Sequence, residues 1–142
     1  MPKISNSINI SAPVEKVFGY VSDPMSALEW FVGMTEVKDV TGSGVGQHYQ
    51  WKYTMIGVPL QGETTVIEHV PNERLVSEGK GGIPSTFTFT FAPHEVGTRL
   101  DMEIDYTIPV PVLGKLAEKL VFKRNQREAA MSMENIKERL ET

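Results

Sequence analysis

The stretch Ser85-Thr86-Phe87-Thr88-Phe89-Thr90-Phe91 alternates hydroxyl and phenyl side chains. Successive side chains on a strand point to opposite faces, so Phe87, Phe89 and Phe91 share one face and Thr86, Thr88 and Thr90 the other. Three rings in a row are too much apolar surface to leave in water. The fold therefore turns on what those rings face, a packed core or a cavity.

The segments around this strand read the same way. Lys3 to Ile10 sets Ile4, Ile8 and Ile10 against Lys3, Ser5, Ser7 and Asn9. Gln47 to Met55 sets Tyr49, Trp51 and Tyr53 against His48, Gln50 and Lys52, and Arg99 to Ile108 sets Leu100, Met102, Ile104 and Tyr106 against Arg99, Asp101, Glu103 and Asp105. Further strands are expected from Glu36, from Leu60 to Val70 and from Arg74 to Glu78, with turns at "TGSGVG", "IGVP", "PNE", "GKGGIP" and "PHEVG". Short, turn-linked, alternating strands predict an antiparallel sheet with one wet and one apolar face.

Two regions are helical. In "SAPVEKVFGYVSDP", Ser11 is the expected N-cap and Pro13 suits the first turn; Val14, Val17, Phe18 and Val21 form a stripe and Pro24 ends it. A second short helix, about Met25 to Phe31, carries Trp30. From about Val112 to Leu140 the chain has one glycine, no proline and many good helix formers. Its apolar stripe is not straight. Leu113, Leu116, Ala117 and Leu120 lie roughly opposite Phe122, Ala129, Met133, Ile136 and Leu140, so either a short helix breaks near Val121 or the helix bends. It is the one element able to cover the apolar face of the sheet.

Composition narrows the function. At 142 residues a single domain spanning 1–142 is expected. The formal charge of -4 argues against a nucleic-acid partner, and the absence of cysteine excludes disulfides and thiolate sites. The opening "MPKISNSINI" has no apolar h-region and no run approaches a membrane span, so a cytoplasmic location is expected.

The order "SAPVEKVFGYVSDP", Trp30, "GSGVGQHYQWKY", "VPNERLV", "VGTRLDMEIDY" and "LGKLAEKLVFKRNQREAAMSMENIKERL" resembles the START-like, SRPBCC helix-grip superfamily, in its polyketide cyclase/dehydrase and lipid-transport branch. The resemblance spans nearly the whole chain. It implies an α+β helix-grip fold: a curved seven-stranded antiparallel sheet around a long C-terminal helix, with two short helices between the first two strands. It also implies a cavity between sheet and helix for an apolar ligand, lipid-like or polycyclic aromatic. It carries no catalytic signature onto these residues, and no cofactor is expected.

On that reading the ligand would meet Trp30, Tyr49, Trp51, Tyr53, Phe87, Phe89, Phe91, Leu100, Met102, Ile104 and Tyr106, with Leu113, Leu116 and Leu120 from the helix. The three phenols would supply polar tips. The strand Leu60 to Val70 has two readings. With Val66 inward, Leu60, Gly62, Thr64 and Glu68 accompany it; with Ile67 inward, Gln61, Glu63, Thr65 and His69 do. The second would put Glu63 and His69 in the cavity, where burial shifts pKa values toward acid–base work, and is the opening for a cyclase or dehydratase. Tyrosines alone are another route to an enzyme, and an interaction module with a vestigial cavity is a third class.

His48, His69 and His94 have no metal-ligand spacing, so no metal is expected. The glycine runs lie between strands and read as turns. Asp101, Glu103 and Asp105 share the wet face. Lys115, Lys119, Lys123 and Arg127, with Arg124 beside them, read as a solvated edge paired with Glu118 and Glu128. The alternative makes Val110, Val112, Lys115 and Lys119 a portal that touches an anionic membrane or an acidic protein. Oligomeric state is left open.

Overall fold

The computed structural model describes residues 2–142. Seven strands form one antiparallel sheet: β1 (Lys3–Ile10), β2 (Met34–Thr41), β3 (His48–Met55), β4 (Val58–Val70), β5 (Arg74–Gly81), β6 (Ser85–His94) and β7 (Gly97–Tyr106). Their spatial order is β1-β7-β6-β5-β4-β3-β2, so β1 and β2, neighbours in the chain, form opposite edges of the sheet. Between β1 and β2 lie α1 (Val14–Val21), a 3-10 turn at Pro24–Ser26 and α2 (Ala27–Trp30). After β7 come a single helical turn, α3 (Val110–Leu113), and the long α4 (Glu118–Glu141). This is the expected α+β helix-grip arrangement. Among the described residues no helix is long and apolar enough to cross a membrane.

The Phe/Thr strand sits near the middle of the sheet. Phe87, Phe89 and Phe91 stand opposite Ile104, Met102 and Leu100 of β7, and Phe89 and Phe87 stand opposite Leu75 and Ser77 of β5. Residues directly opposite in a sheet share a face, so these rows make up the concave side that α1, α2 and α4 cover. Val17, Ile10, Leu100, Met102, Met133 and Ile136 are among its most deeply buried side chains.

Four local expectations are corrected. Helix α1 starts after Pro13, which is extended, and Ser11 makes no cap; its N–H donates to the Glu141 carboxylate at 2.7 Å. That bond ties the end of α4 to the corner after β1. The C-terminal helix breaks at Gly114–Ala117 rather than near Val121. Gly114 is a weak helix former, and the fully buried Val112 and Val121 pin the chain on either side. The segment Gly79–Gly81 belongs to β5, so the turn is confined to Gly82–Pro84.

The fourth concerns β4, where both readings occur in one strand. Val66 is buried and Ile67 exposed, so the Val66 reading holds up to that point. A bulge between Val66 and Glu68 then resets the alternation, and His69 stands opposite the buried Leu75. Glu63 thus lies on the convex face, where its carboxylate is 3.4 Å from His48, while His69 turns inward and packs edge-on against Phe18 at 5.2 Å. The two are not brought together.

Candidate functional site

Between the sheet and the N-terminal half of α4 lies a void of about 130 Å³. Its origin is visible in the rows of the concave face. Along β6 and β7, Phe91, Leu100 and Met102 fill one end of this face, whereas Ser77 and Gly79 of β5 and Ser85 of β6 border the void at the other. Small side chains there leave space that neither helix nor loop enters.

Aromatic rings wall this space. Trp30 and Phe31 come from the α2 end, Tyr49, Trp51 and Tyr53 from β3. Phe87 and Phe89 come from β6, Ile104 and Tyr106 from β7. Phe31 stacks on Tyr53 with ring centres 5.4 Å apart and meets Phe87 edge-on at 5.6 Å. Two glycines let the rings lie where they do. A Cβ on Gly62 would reach within 2.5 Å of the Trp51 indole, and one on Gly33 within 2.6 Å of the Tyr53 ring.

The polar groups are few. Thr64 accepts from the Trp51 indole N–H at 2.9 Å. Asn125 donates from Nδ2 to the Tyr106 hydroxyl at 2.7 Å, while its Oδ1 is buried without a partner among the described residues. Glu128, one turn along α4, also lines the void and is 3.8 Å from Arg124. Burial pushes the Glu128 carboxyl above the usual carboxylate range, against the pull of Arg124. Tyr53 is pushed well up, by burial first and then by the negative charge of Glu128. Burial also raises Tyr49 and Tyr106, each partly offset by a hydrogen bond, from Thr64 and Asn125 respectively.

Eight of the expected ligand-facing residues therefore line the void: Trp30, Tyr49, Trp51 and Tyr53, then Phe87, Phe89, Ile104 and Tyr106. Phe91, Leu100 and Met102 do not; they are packed in the filled end of the same face. Nor do Leu113, Leu116 and Leu120: Leu113 and Leu120 are exposed, and Leu116 packs against the core away from the void. The expected portal residues lie off the void. Val112 is fully buried, Val110 is 79% exposed, and neither they nor Lys115 and Lys119 line the void. Among the described residues Lys115, Lys119, Lys123 and Arg127 have no carboxylate within ion-pair distance, so of the basic edge only Arg124 is paired.

Asn125 and Phe31 went unread in the sequence, and Glu128 was read only as a solvated partner of the basic edge. Spacing was the available signal. Asn125, Glu128, Ala129, Ser132, Met133 and Ile136 recur at three- and four-residue steps, so an amide and a carboxyl share a helix face with Ala129, Met133 and Ile136.

A family model described as polyketide cyclase/dehydrase and lipid transport matches residues 1–141. The chain belongs to that family. No curated protein matches it. Among solved structures it is similar to TTHA0849 of Thermus thermophilus, at 22% identity and a TM-score of 0.84, covering 98% of this chain and 97% of that one. Protein CV1439 of Chromobacterium violaceum is 20% identical with a TM-score of 0.76, covering 100% and 99%. The di-domain ARO/CYC BexL of the BE-7585A biosynthetic pathway is 19% identical with a TM-score of 0.73, and the match covers 99% of this chain but 50% of BexL. At these identities the likeness extends to the fold alone. The residues described above are this family member's own lining of the void.

Proposed function

We propose that this protein binds a hydrophobic small molecule in the void between the sheet and α4. The observation that carries this reading is the gap itself. A sheet face that packs tightly at one end is left open at the other and walled there by eight aromatic side chains. Its volume sets the scale of the occupant. About 130 Å³ falls below the ~300–1,000 Å³ of usual ligand pockets and near the ~150 Å³ of a cavity that takes benzene. One ring fits; a lipid chain or a polycycle fits only if Phe31 and Phe87 swing aside. Mass spectrometry of solvent extracts from the purified protein tests the reading. A co-purified apolar compound that rebinds the stripped protein supports it. Failure of single-ring compounds to shift the NMR signals of Phe87 and Trp51 would sink it.

An enzyme of the cyclase or dehydratase type is the second reading, and BexL lends it a precedent on this fold. The Glu63–His69 version loses its basis, since those residues face opposite ways. What favours an enzyme is Glu128, a carboxyl with a raised pKa beside a phenol. Once a ligand is in hand, its turnover decides. Glu128→Gln should then cost roughly 10²-fold or more in kcat, the scale of a lost general acid or base.

A further inference from the structure

The polar end of the void selects among apolar molecules. Tyr53 is 7% exposed, yet its hydroxyl has no hydrogen-bond partner among the described residues. The hydroxyl oxygen keeps accessible surface, so it is open to a partner. It lines the void, as does Glu128, whose charge acts on it. The Tyr106 oxygen is already taken by Asn125, which leaves the Tyr106 proton to give. Among the described residues, the only ionisable side chains besides tyrosines on the lining are Asp23 and Glu128; no lysine, arginine or histidine is there.

We infer that the void is built for an uncharged single-ring compound bearing a hydroxyl group, which accepts from the Tyr53 phenol and donates to Glu128, and that it rejects carboxylates. This rests on the binding reading above and narrows its ligand class. A hydroxyl is both donor and acceptor, so it can satisfy a phenol on one side and a carboxylate on the other. A bare hydrocarbon leaves the Tyr53 hydroxyl unpaired in an apolar wall, which weakens binding. A carboxylate would be desolvated beside Glu128, whose neighbouring cation, Arg124, already faces that acid at 3.8 Å and does not line the void. Fatty acids and other anionic lipids are therefore poor occupants despite the apolar walls.

Three probes built on one toluene ring separate the terms: p-cresol, toluene and 4-methylbenzoate. Calorimetric titration at pH 7 should show p-cresol binding roughly tenfold more tightly than toluene, with 4-methylbenzoate the weakest. Tyr53→Phe keeps the ring stacked on Phe31 and its seat on Gly33. It should bring p-cresol and toluene to within about twofold of each other, weakening p-cresol and strengthening toluene, which then leaves no hydroxyl unpaired. Glu128→Gln removes one acid and should raise 4-methylbenzoate affinity several-fold. Equal binding of p-cresol and toluene by the natural protein, or a tenfold preference that survives Tyr53→Phe, overturns the hydroxyl inference and leaves the apolar pocket standing. Tight binding of 4-methylbenzoate overturns the charge selection. If none of the three binds, the pocket reading fails and this one falls with it.

Discussion

The two ends of the concave face differ more than their shared strands suggest. Near the β6–β7 hairpin, Phe91 meets Phe18 edge-on at 5.0 Å, Phe18 meets His69, and Leu100 and Ile136 are wholly buried. Toward the start of β6, the same strands present Ser77, Gly79, Ser85 and Tyr106 to Asn125 and Glu128. One helix serves both ends. Its C-terminal half offers Met133, Ile136 and Leu140, large enough to close the gap; its N-terminal half offers an amide, a carboxyl and an alanine, which do not. The void thus comes from residue choice on both layers and not from sheet curvature alone. Polar contacts hold α4 at both ends, through Asn125 to Tyr106 and Glu141 to Ser11, and also between them: Ser132 accepts from the Val32 N–H at 3.0 Å and Asn135 donates to the Trp30 carbonyl at 3.1 Å. They fix the helix height, so the space cannot be closed by letting the helix sink.

The most forceful way to break this comparison is to truncate one ring at each end. Phe91→Ala removes a side chain packed on all sides and should destabilise by ~3–5 kcal/mol. Phe87→Ala borders space that is already empty, so fewer contacts are lost and the cost should be lower by ~1 kcal/mol or more. Urea unfolding of both variants measures the difference. Equal costs would mean that the two ends are equally packed.

The layout of these ends was only half legible in the sequence. Alternation in Ser85–Phe91 and in the strand holding Tyr49, Trp51 and Tyr53 identified the inward faces, because a period of two leaves one choice of side. It failed at Leu60–Val70, where the bulge after Val66 changes the parity within the strand. No run of residue types marks such a bulge when both faces carry mixed side chains. Phe91, Leu100 and Met102 were inward as read, yet alternation says nothing of position along a strand, and it is position that separates the packed end from the void. The helix break moved to Gly114–Ala117 because tertiary anchors at Val112 and Val121, not the wheel alone, decide it. Gly62 and Gly33 illustrate another gap. Taken locally they are strand and turn residues; only the folded pair shows them to be seats for rings.

That seat can be tested. Gly62→Ala would drive its methyl into the Trp51 ring and the Lys80 carbonyl oxygen. A backbone oxygen in a paired strand yields little, so the indole must move. Overpacking of this kind should cost ~1–3 kcal/mol, less than Phe91→Ala. It should also shift the Trp51 indole N–H signal, because that proton is held on Thr64 at 2.9 Å. An unchanged indole signal at full stability would show that Trp51 does not depend on this glycine, and that its wall of the void is set elsewhere.

The smallest effect sharpens the polar end. Burial raises the Glu128 carboxyl in the folded chain above its unfolded value, and Arg124 offsets only part of that rise. A group with a raised folded pKa stabilises fully below its unfolded pKa, here about 4.5, and loses that contribution as pH climbs through the folded value. Ionised Glu128 is therefore a cost of keeping the void lined with a carboxyl, and Glu128→Gln removes it. The Tm of the variant minus that of the natural protein should be more positive at pH 7 than at pH 4, since the other titrations are common to both and cancel. Loss of the Arg124 contact works in the opposite sense, but it is outweighed as long as burial dominates. A Tm difference that is flat across this range, or that falls toward pH 7, would make Glu128 an ordinary paired surface acid. The contrast between the two ends would then rest on shape alone.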